Sequence, residues 1–358
     1  MENKKLRLNL IIGVCAFAAV FAALLTVASL YDLQISEALT NGSLAEGEYY
    51  SSNQLALFFE VMGDSVVYLA GGIASLIFVS SAIKLQDGDG FLFIREIRGA
   101  AYKAFKICLI ILFSAFAVYE FYEAVHDIFK YTDRYLYAVL TDYGLQFSLT
   151  GGYLFAVQVV LALAFAGLIL ALLVRVKKED ITKLIKLAIL ILVVEAMYLV
   201  LVGAIKTPIG RMRYRTMNAI GDFSYYTPWY KINGSRNVDM VGNVVGDKLS
   251  REELLFGAED TCKSFPSGHT YCSAITFALV CLPDLFERFK KRWIKGICWI
   301  VPAAYTLTVA VCRIVVGAHF LSDVLVGGTL AFALIMIIRE VLILNCIHFK
   351  AFIKNKTE

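Results

Sequence analysis

Residues 152–174 read GYLFAVQVVLALAFAGLILALLV, a run of 23 residues that contains no charged side chain. An α-helix needs about 20 mostly apolar residues to cross the hydrocarbon core of a bilayer, so this run predicts a transmembrane helix. The rest of the chain has the same character, because 59% of its 358 residues are apolar and only 18% are charged. Such a composition is atypical of soluble domains. We therefore predict an all-α fold, a polytopic bundle of transmembrane helices.

The same criterion predicts about eight spans along the chain. The first span follows the basic sequence KKLR and is open to a second interpretation as a cleaved signal peptide, although its length favours a retained anchor. The predicted spans cover residues 10–31, 56–84, 103–125, 152–174, 182–206, 268–286, 293–313 and 319–345.

The distribution of basic residues predicts the orientation of the chain. Five Lys or Arg residues occur in each of the loops 84–106, 175–186 and 288–295, whereas residues 32–55 contain none. Short cytoplasmic loops carry an excess of Lys and Arg, so both termini are predicted to be cytoplasmic. The compact, Lys-rich chain, in which no eukaryotic targeting signal is evident, favours a bacterial plasma membrane. The net charge of +4 is modest, and we expect no nucleic-acid partner. The predicted outer segments are 32–55, 126–151, 207–267 and 314–318; the third is basic too, but long loops are translocated largely regardless of charge.

The eight cysteines form neither a disulfide framework nor a CxxC pair. Most of them lie in or beside apolar runs, where cysteine behaves as a small hydrophobic residue. The sequence therefore predicts no metal site and no cofactor.

Three polar patches fall at the outer ends of predicted spans. They read KTPIGRMR at 206–213, SFPSGHT at 264–270 and CRIVVGAHFLSD at 312–323. Patches that are remote in sequence but share one depth in the membrane are expected to form one site. This convergence is the main argument from the residues alone.

The cations of these patches point to an anionic ligand. Lys206, Arg213 and Arg313 would all lie close to membrane depth, where charged side chains face a cavity or a partner. Phosphate suits them, because guanidinium groups bind its oxygens in pairs and lysine adds a point charge. Ser267 offers a hydroxyl, and Gly268 lets the main chain approach closely. Arg211 and Arg215 are spare cations that could replace Arg213.

Two of the chain's four histidines lie in the same layer. His319 and Asp323 are four residues apart and are expected on one helix face, where the carboxylate would orient the imidazole as a nucleophile. His269 would then protonate the leaving oxygen. Taken singly, each residue is more often structural: an interfacial histidine, a hydrogen-bonded pair or a snorkelling anchor. The acids Glu60, Asp64 and Glu195 inside apolar runs are expected to pair structurally within the bundle.

The three patches resemble the signature of the type-2 phosphatidic acid phosphatase family, which includes lipid phosphate phosphatases and vanadium haloperoxidases. That signature reads Lys-x6-Arg-Pro, Pro-Ser-Gly-His and Ser-Arg-x5-His-x3-Asp. The second motif is intact here as PSGH, residues 266–269, whereas Tyr214 stands in place of the proline and Cys312 in place of the serine. We expect the site to survive Tyr214, which leaves the charge of Arg213 in place. Cys312 removes a hydroxyl that could bind the phosphate.

The resemblance implies a metal-independent phosphatase with His319 as nucleophile, Asp323 as its partner and His269 as general acid. It implies phosphate binding by Lys206, Arg213, Ser267, Gly268 and Arg313. The resemblance also divides the chain into two additional N-terminal spans in 1–100, a six-span core in 101–346 with the outer segment 207–267, and a cytoplasmic tail in 347–358.

The expected substrate is a lipid phosphate at the outer membrane face, of the phosphatidic acid, undecaprenyl pyrophosphate or phosphatidylglycerol phosphate class. Two alternatives remain open at this point. The same histidine could transfer the phosphoryl group to an alcohol, or the chain could be an inactive lipid-binding or transport protein. A haloperoxidase is disfavoured, because a site embedded in lipid suits lipid phosphates better.

Overall fold

A computed structural model describes residues 2–84, 86, 99–131, 152–234 and 261–344. Within these ranges the chain is helical and contains no β-strand, so the predicted all-α class is confirmed. Seven helices there are long and apolar enough to cross a membrane, as expected of an integral membrane protein. They are Ile11–Thr40, Gln54–Lys84, Gly99–Tyr131, Leu154–Arg175, Lys178–Ile220, Arg292–Val315 and Leu321–Ile343.

The helices are numbered here in chain order. The first five are α1 (Glu2–Thr40), α2 (Gln54–Lys84), α3 (Gly99–Tyr131), α4 (Gly152–Arg175) and α5 (Lys178–Met197). A π-helical turn, Tyr198–Val202, joins α5 to α6 (Gly203–Ile209), and α7 (Tyr214–Ile220) follows. The remaining helices are α8 (Gly268–Ala274), α9 (Leu282–Leu285), α10 (Arg292–Val315) and α11 (Leu321–Ile338).

The predicted span 268–286 is built from three short pieces. Helix α8 passes into a 3₁₀-helix, Ile275–Cys281, which passes into α9. Pro283 lies in the first turn of α9, where its missing N–H costs nothing. The helical run is thus continuous, but none of its pieces is a long α-helix.

Helix α1 extends nine residues beyond the predicted end at residue 31, to Thr40. Its final turns carry Asp32, Ser36 and Thr40, all of which are buried. Buried polar side chains require hydrogen-bonding partners, and Asp32 finds them in the site described below. The hydropathy of the sequence falls at Asp32, but the helix does not end there.

The described residues form two compact units, each assembled from separate parts of the chain. The first unit combines Met1–Leu57, Val200–Thr270 and Val309–Thr329 and contains all eight predicted site residues. The second unit combines Phe58–Leu199, Tyr271–Thr308 and Leu330–Glu358. The predicted division at residue 100 stays a prediction, and the predicted tail 347–358 lies outside the described residues.

An apolar cluster holds the first unit together. It joins the loop after α1, helix α7 and the start of α11, so that segments remote in sequence are fixed beside one another. Its buried members are Leu44, Tyr49, Met212, Tyr214, Met217, Ala219, Ile220, Cys262 and Phe320.

The second unit is an apolar bundle with carboxyl groups in its interior. Glu120 and Glu195 lie close to each other and against Gly71 of α2. A Cβ atom at Gly71 would lie 2.5 Å from Glu195 Oε2, so the carboxyl group would have to move to admit a larger residue. The structural pairing of Glu195 stays a prediction, and the group beside it is another carboxyl group rather than a hydroxyl or a cation.

Candidate active site

The first patch is a tight turn between α6 and α7. Lys206 lies in α6, and Gly210 ends that helix with a φ of 54°, in the left-handed region that favours glycine. A Cβ atom at Gly210 would lie 2.2 Å from the carbonyl oxygen of Gly234, because the chain folds back and Gly234 N–H donates to Pro208. This turn brings Arg213 to the N-cap position of α7.

Tyr214 stands where the signature of the resembled family has proline, and its position in α7 does not require proline. Tyr214 is the first residue of α7, and the backbone N–H at that position has no partner within its own helix. Proline is favoured there because it lacks this N–H, but it is not required. The Tyr214 ring is buried instead and packs against Phe223 and Phe320.

The second patch is attached to α11 through its backbone. Ser267 N–H donates to the carbonyl oxygen of Asp323 at 3.0 Å. The Ser267 hydroxyl accepts from the backbone N–H of Thr270 at 3.3 Å, so it caps α8. A Cβ atom at Gly327 would lie only 2.2 Å from Ser267 O, so this contact depends on glycine.

The third patch turns sharply between α10 and α11. Gly317 has a φ of 67°, and the backbone N–H groups of Ala318 and His319 both donate to the carbonyl oxygen of Arg313. Arg313 and His319 are both buried. The turn places His319 two residues before α11, not inside it.

His319 and Asp323 were expected on one helix face, but His319 precedes α11 and only Asp323 lies in that helix. Asp323 Oδ2 lies 3.6 Å from His319 Nδ1, which is too far for a hydrogen bond. His319 Nδ1 instead lies 2.6 Å from the carbonyl oxygen of Ser264. A carbonyl oxygen only accepts, so Nδ1 carries the proton. The neutral ring therefore keeps its lone pair on Nε2.

That lone pair points toward a cation. Arg213 Nη1 lies 3.4 Å from His319 Nε2 and also donates to the carbonyl oxygen of Ala318 at 3.1 Å. Arg213 is thus the arginine of the first patch that contacts the predicted nucleophile. Arg211 is paired with carboxylates, and the Arg215 guanidinium lies 4.7 Å from the centre of the Tyr49 ring.

Asp323 is completely buried and accepts several hydrogen bonds. Its Oδ1 accepts from Arg211 Nη1 at 2.6 Å. Its Oδ2 accepts from the Ser264 hydroxyl at 2.5 Å and from the backbone N–H of Phe320 at 2.8 Å. In this last bond the Asp323 side chain, in the first turn of α11, reaches back to the N–H of the N-cap residue Phe320, as the N3 side chain does in a capping box. These partners fix the position of the Asp323 carboxyl group.

The remaining predicted residues gather around His269, which is partly buried. The cations close enough to act on its ring electrostatically come from the first and third patches, and His319 acts on it too. They are Lys206, Arg213 and Arg313. Such a concentration of positive charge around two imidazoles is the setting that a phosphate anion neutralises.

Sequence reasoning missed two participants. Asp32 was read as the first residue of an outer loop, and Ser264 as part of a turn. An acidic residue directly after an apolar run was the available signal for Asp32. Ser264 acts largely through its backbone carbonyl, which any residue would supply, so no sequence signal for that contact exists.

Among the described residues, no group of three or more His, Cys, Asp or Glu side chains could hold a metal ion. The fold and the site therefore define an integral membrane protein with a buried cationic centre beside two histidines.

Residues 187–344 match the family model of the PAP2 superfamily, which confirms the resemblance seen in the three motifs. The matched segment includes every predicted site residue, and the match supports a phosphatase-type activity for this membrane protein. Comparisons with curated proteins and with solved structures find no match.

Proposed function

We propose that the protein is a metal-independent lipid phosphatase that works through a phospho-histidine at His319. The observation that carries this proposal is the environment of that ring. Nδ1 donates to Ser264 O at 2.6 Å, and Nε2 faces Arg213 at 3.4 Å. A nucleophile needs a free electron pair directed at the substrate, and this tautomer supplies it without a separate base.

In the proposed first step, the Nε2 electron pair attacks phosphorus and the bond to the lipid oxygen breaks. His269 gives its proton to that oxygen, so the lipid leaves as an alcohol from a phosphomonoester and as a lipid monophosphate from a pyrophosphate. Lys206, Arg213 and Arg313 neutralise the charge that spreads over the equatorial oxygens. Backbone groups of Ser267 and Gly268 are expected beside the phosphate, since the Ser267 hydroxyl already caps α8.

In the second step, water attacks the phosphorus, the bond to Nε2 breaks, and inorganic phosphate leaves. His269, now without its proton, accepts one from the water. The positive charge that His319 carries while phosphorylated is balanced by Asp323, 3.6 Å from Nδ1. The reaction consumes one water and regenerates the starting site.

The substrate proposed is a lipid phosphomonoester or pyrophosphate presented at the outer leaflet. Within the first unit, the site sits among the ends of α6, α10 and α11. Charges at the end of a transmembrane helix lie near the lipid headgroups, which is where a lipid phosphate would be found.

The test is phosphate release by the purified protein from phosphatidic acid, undecaprenyl pyrophosphate and phosphatidylglycerol phosphate, with and without EDTA. We expect release from at least one lipid, unchanged by EDTA, and none from the His319→Ala variant. No release from any of the three by the unmodified protein would instead favour a lipid-binding or transport protein. Loss of release in EDTA would refute metal independence.

A phosphotransferase is separated from a phosphatase in the same assay by adding an alcohol acceptor. Phosphate that appears on the alcohol rather than in solution would identify a transferase. Both reactions share the phospho-histidine and differ only in what attacks it.

A further inference from the structure

Asp32 is a buried carboxylate that the N-terminal helix α1 contributes to the site. It is 1% exposed and lies outside the segment 187–344 that matches the superfamily. One carboxylate oxygen accepts from Arg211 Nη2 at 2.9 Å, and the other accepts from the backbone N–H of Ser322 at 2.9 Å. The Ser322 hydroxyl donates to the same carboxylate oxygen as Arg211 Nη2.

Arg211 joins this carboxylate to Asp323. Its Nη2 donates to Asp32 and its Nη1 donates to Asp323, while Nε donates to the carbonyl oxygen of Thr227 at 2.8 Å. The guanidinium also lies 4.0 Å from the centre of the Phe320 ring. These hydrogen bonds and the contact with the Phe320 ring together hold the Arg211 guanidinium in one position.

With both carboxyl groups ionised, as the proposal below requires, the charges of this trio do not cancel. Two carboxylates share one guanidinium, and all three side chains are 1% exposed or less. Paired with Asp323 alone, Arg211 would neutralise it. Because Arg211 also pairs with Asp32, it does not fully neutralise Asp323. Asp323 therefore leaves a net negative charge next to His319 Nδ1, where water screens charges only weakly.

This arrangement extends to the nucleophile through Ser264. The Ser264 hydroxyl donates to Asp323 Oδ2, and its carbonyl oxygen accepts from His319 Nδ1. The position of Asp323 therefore sets the position of Ser264, which sets the orientation of the ring. Asp32 itself contacts Arg211 and Ser322 and acts on His319 through them.

On the basis of the proposed phosphatase function, we propose that Asp32 is a positioning residue for His319. Because Asp32 shares Arg211 with Asp323, it helps to fix the position of Asp323 and thereby the orientation of the His319 ring. It also leaves Asp323 a net negative charge, which stabilises the imidazolium form of His319. The N-terminal helix is then part of the catalytic unit rather than an accessory anchor.

The first test compares Asp32→Asn with Ser36→Ala by steady-state phosphate release. Asparagine keeps the shape and one accepting oxygen but removes the charge. Ser36 lies one turn further along α1, is equally buried, and its hydroxyl makes no hydrogen bond to any residue that the structure describes. We expect Asp32→Asn to lower kcat by about 10- to 100-fold, as loss of an orienting partner does elsewhere, with KM unchanged. Ser36→Ala should leave both constants unchanged.

The second test does not need turnover and therefore separates this inference from the proposed function. It follows the ring nitrogens of His319 by NMR with isotope-labelled histidine, assigned through His319→Ala. Charged or titratable groups beside this ring include Asp323, Arg213 and His269, and Arg211 lies behind Asp323 together with Asp32. Lys206 and Arg313 act on the neighbouring His269. In Asp32→Asn, Asp323 is the only carboxylate of the trio that pairs with Arg211, so its charge is neutralised more completely. The imidazolium form of His319 is then less stabilised. Its titration should move to lower pH.

The outcomes are distinct. A wild-type protein without phosphatase activity would overturn the proposed function, and the titration of His319 would still test the role of Asp32. An Asp32→Asn protein with the kcat and the His319 titration of Ser36→Ala would overturn the inference. If Asp32→Asn does not fold, Arg211→Lys replaces it, because an ammonium cannot bridge two carboxylates as a guanidinium does. A wild-type kcat in Arg211→Lys would then overturn the inference.

Discussion

His319 has two ring nitrogens, and the protein surrounds them differently. Nδ1 faces the Ser264 carbonyl oxygen and the Asp323 carboxylate, whereas Nε2 faces Arg213. One side of the ring therefore stabilises positive charge and the other attracts an anion. This is the polarity that a phosphorylated histidine requires, because its phosphoryl group is negative and its ring positive.

His269 is the residue whose role depends most on the substrate. As a general acid it matters only when the leaving oxygen needs a proton. We predict that His269→Ala lowers kcat by about 10²- to 10⁴-fold on an alkyl phosphate such as phosphatidic acid. On an aryl lipid phosphate, whose phenolate leaves without a proton, the loss should be much smaller. The measurement is kcat for both substrates in the same detergent.

The matched control for this prediction is His126→Ala. His126 lies in α3, in the second unit, and its Nδ1 is 3.4 Å from Gln158 Oε1. The His126→Ala substitution should lower kcat on neither the alkyl nor the aryl substrate. Equal losses on the alkyl and aryl substrates in His269→Ala would contradict general acid catalysis and would leave His269 a role in binding phosphate.

At the scale of elements, the site depends on how closely α11 approaches the loop before α8. Gly327 faces Ser267, and a Cβ atom there would lie 2.2 Å from Ser267 O and 3.1 Å from its carbonyl carbon. Both are backbone atoms and cannot rotate away. We predict that Gly327→Ala pushes α11 from this loop, lowers the free energy of unfolding by about 1–3 kcal/mol and reduces kcat. Thermal unfolding in detergent and phosphate release measure the two effects.

Gly296→Ala in α10 is the control for that substitution. No atom lies within 4 Å of the Cβ that it would add, and alanine is a better helix former than glycine. The melting temperature should therefore stay the same or rise. An unchanged melting temperature and kcat in Gly327→Ala would mean that the loop tolerates displacement and that the contact has no role in the site.

The elements also explain what the sequence could and could not predict. Apolar length located the spans, and motif spacing located Lys206, Arg213, His269 and His319, because both signals are local. The true end of α1 was hidden, since hydropathy falls at Asp32 although the helix continues to Thr40. Its polar turns are stabilised by Arg211, 179 residues away. A contact of this kind is fixed by tertiary packing alone.

For the whole molecule, the remaining question is which side of the membrane the site faces. Within the first unit, the loop between α1 and α2 packs beside the site. Ser43 Oγ donates to the carbonyl oxygen of Val315 at 2.9 Å, and Asn218 Nδ2 donates to those of Ala45 and Glu48 at 2.8 Å. The side of the membrane on which this loop lies is therefore also the side that the candidate site faces.

The positive-inside rule predicts that this loop is outside, because residues 32–55 contain no Lys or Arg. Three spans separate it from the exposed Lys177, between α4 and α5, so the two positions should lie on opposite sides. We predict that a membrane-impermeant maleimide labels Glu46→Cys in intact cells and labels Lys177→Cys only after permeabilisation. The unsubstituted protein gives the background from its own cysteines. The reverse pattern would put the site in the cytoplasm and would require a lipid phosphate of the inner leaflet. Labelling of both in intact cells would contradict the odd number of spans between them.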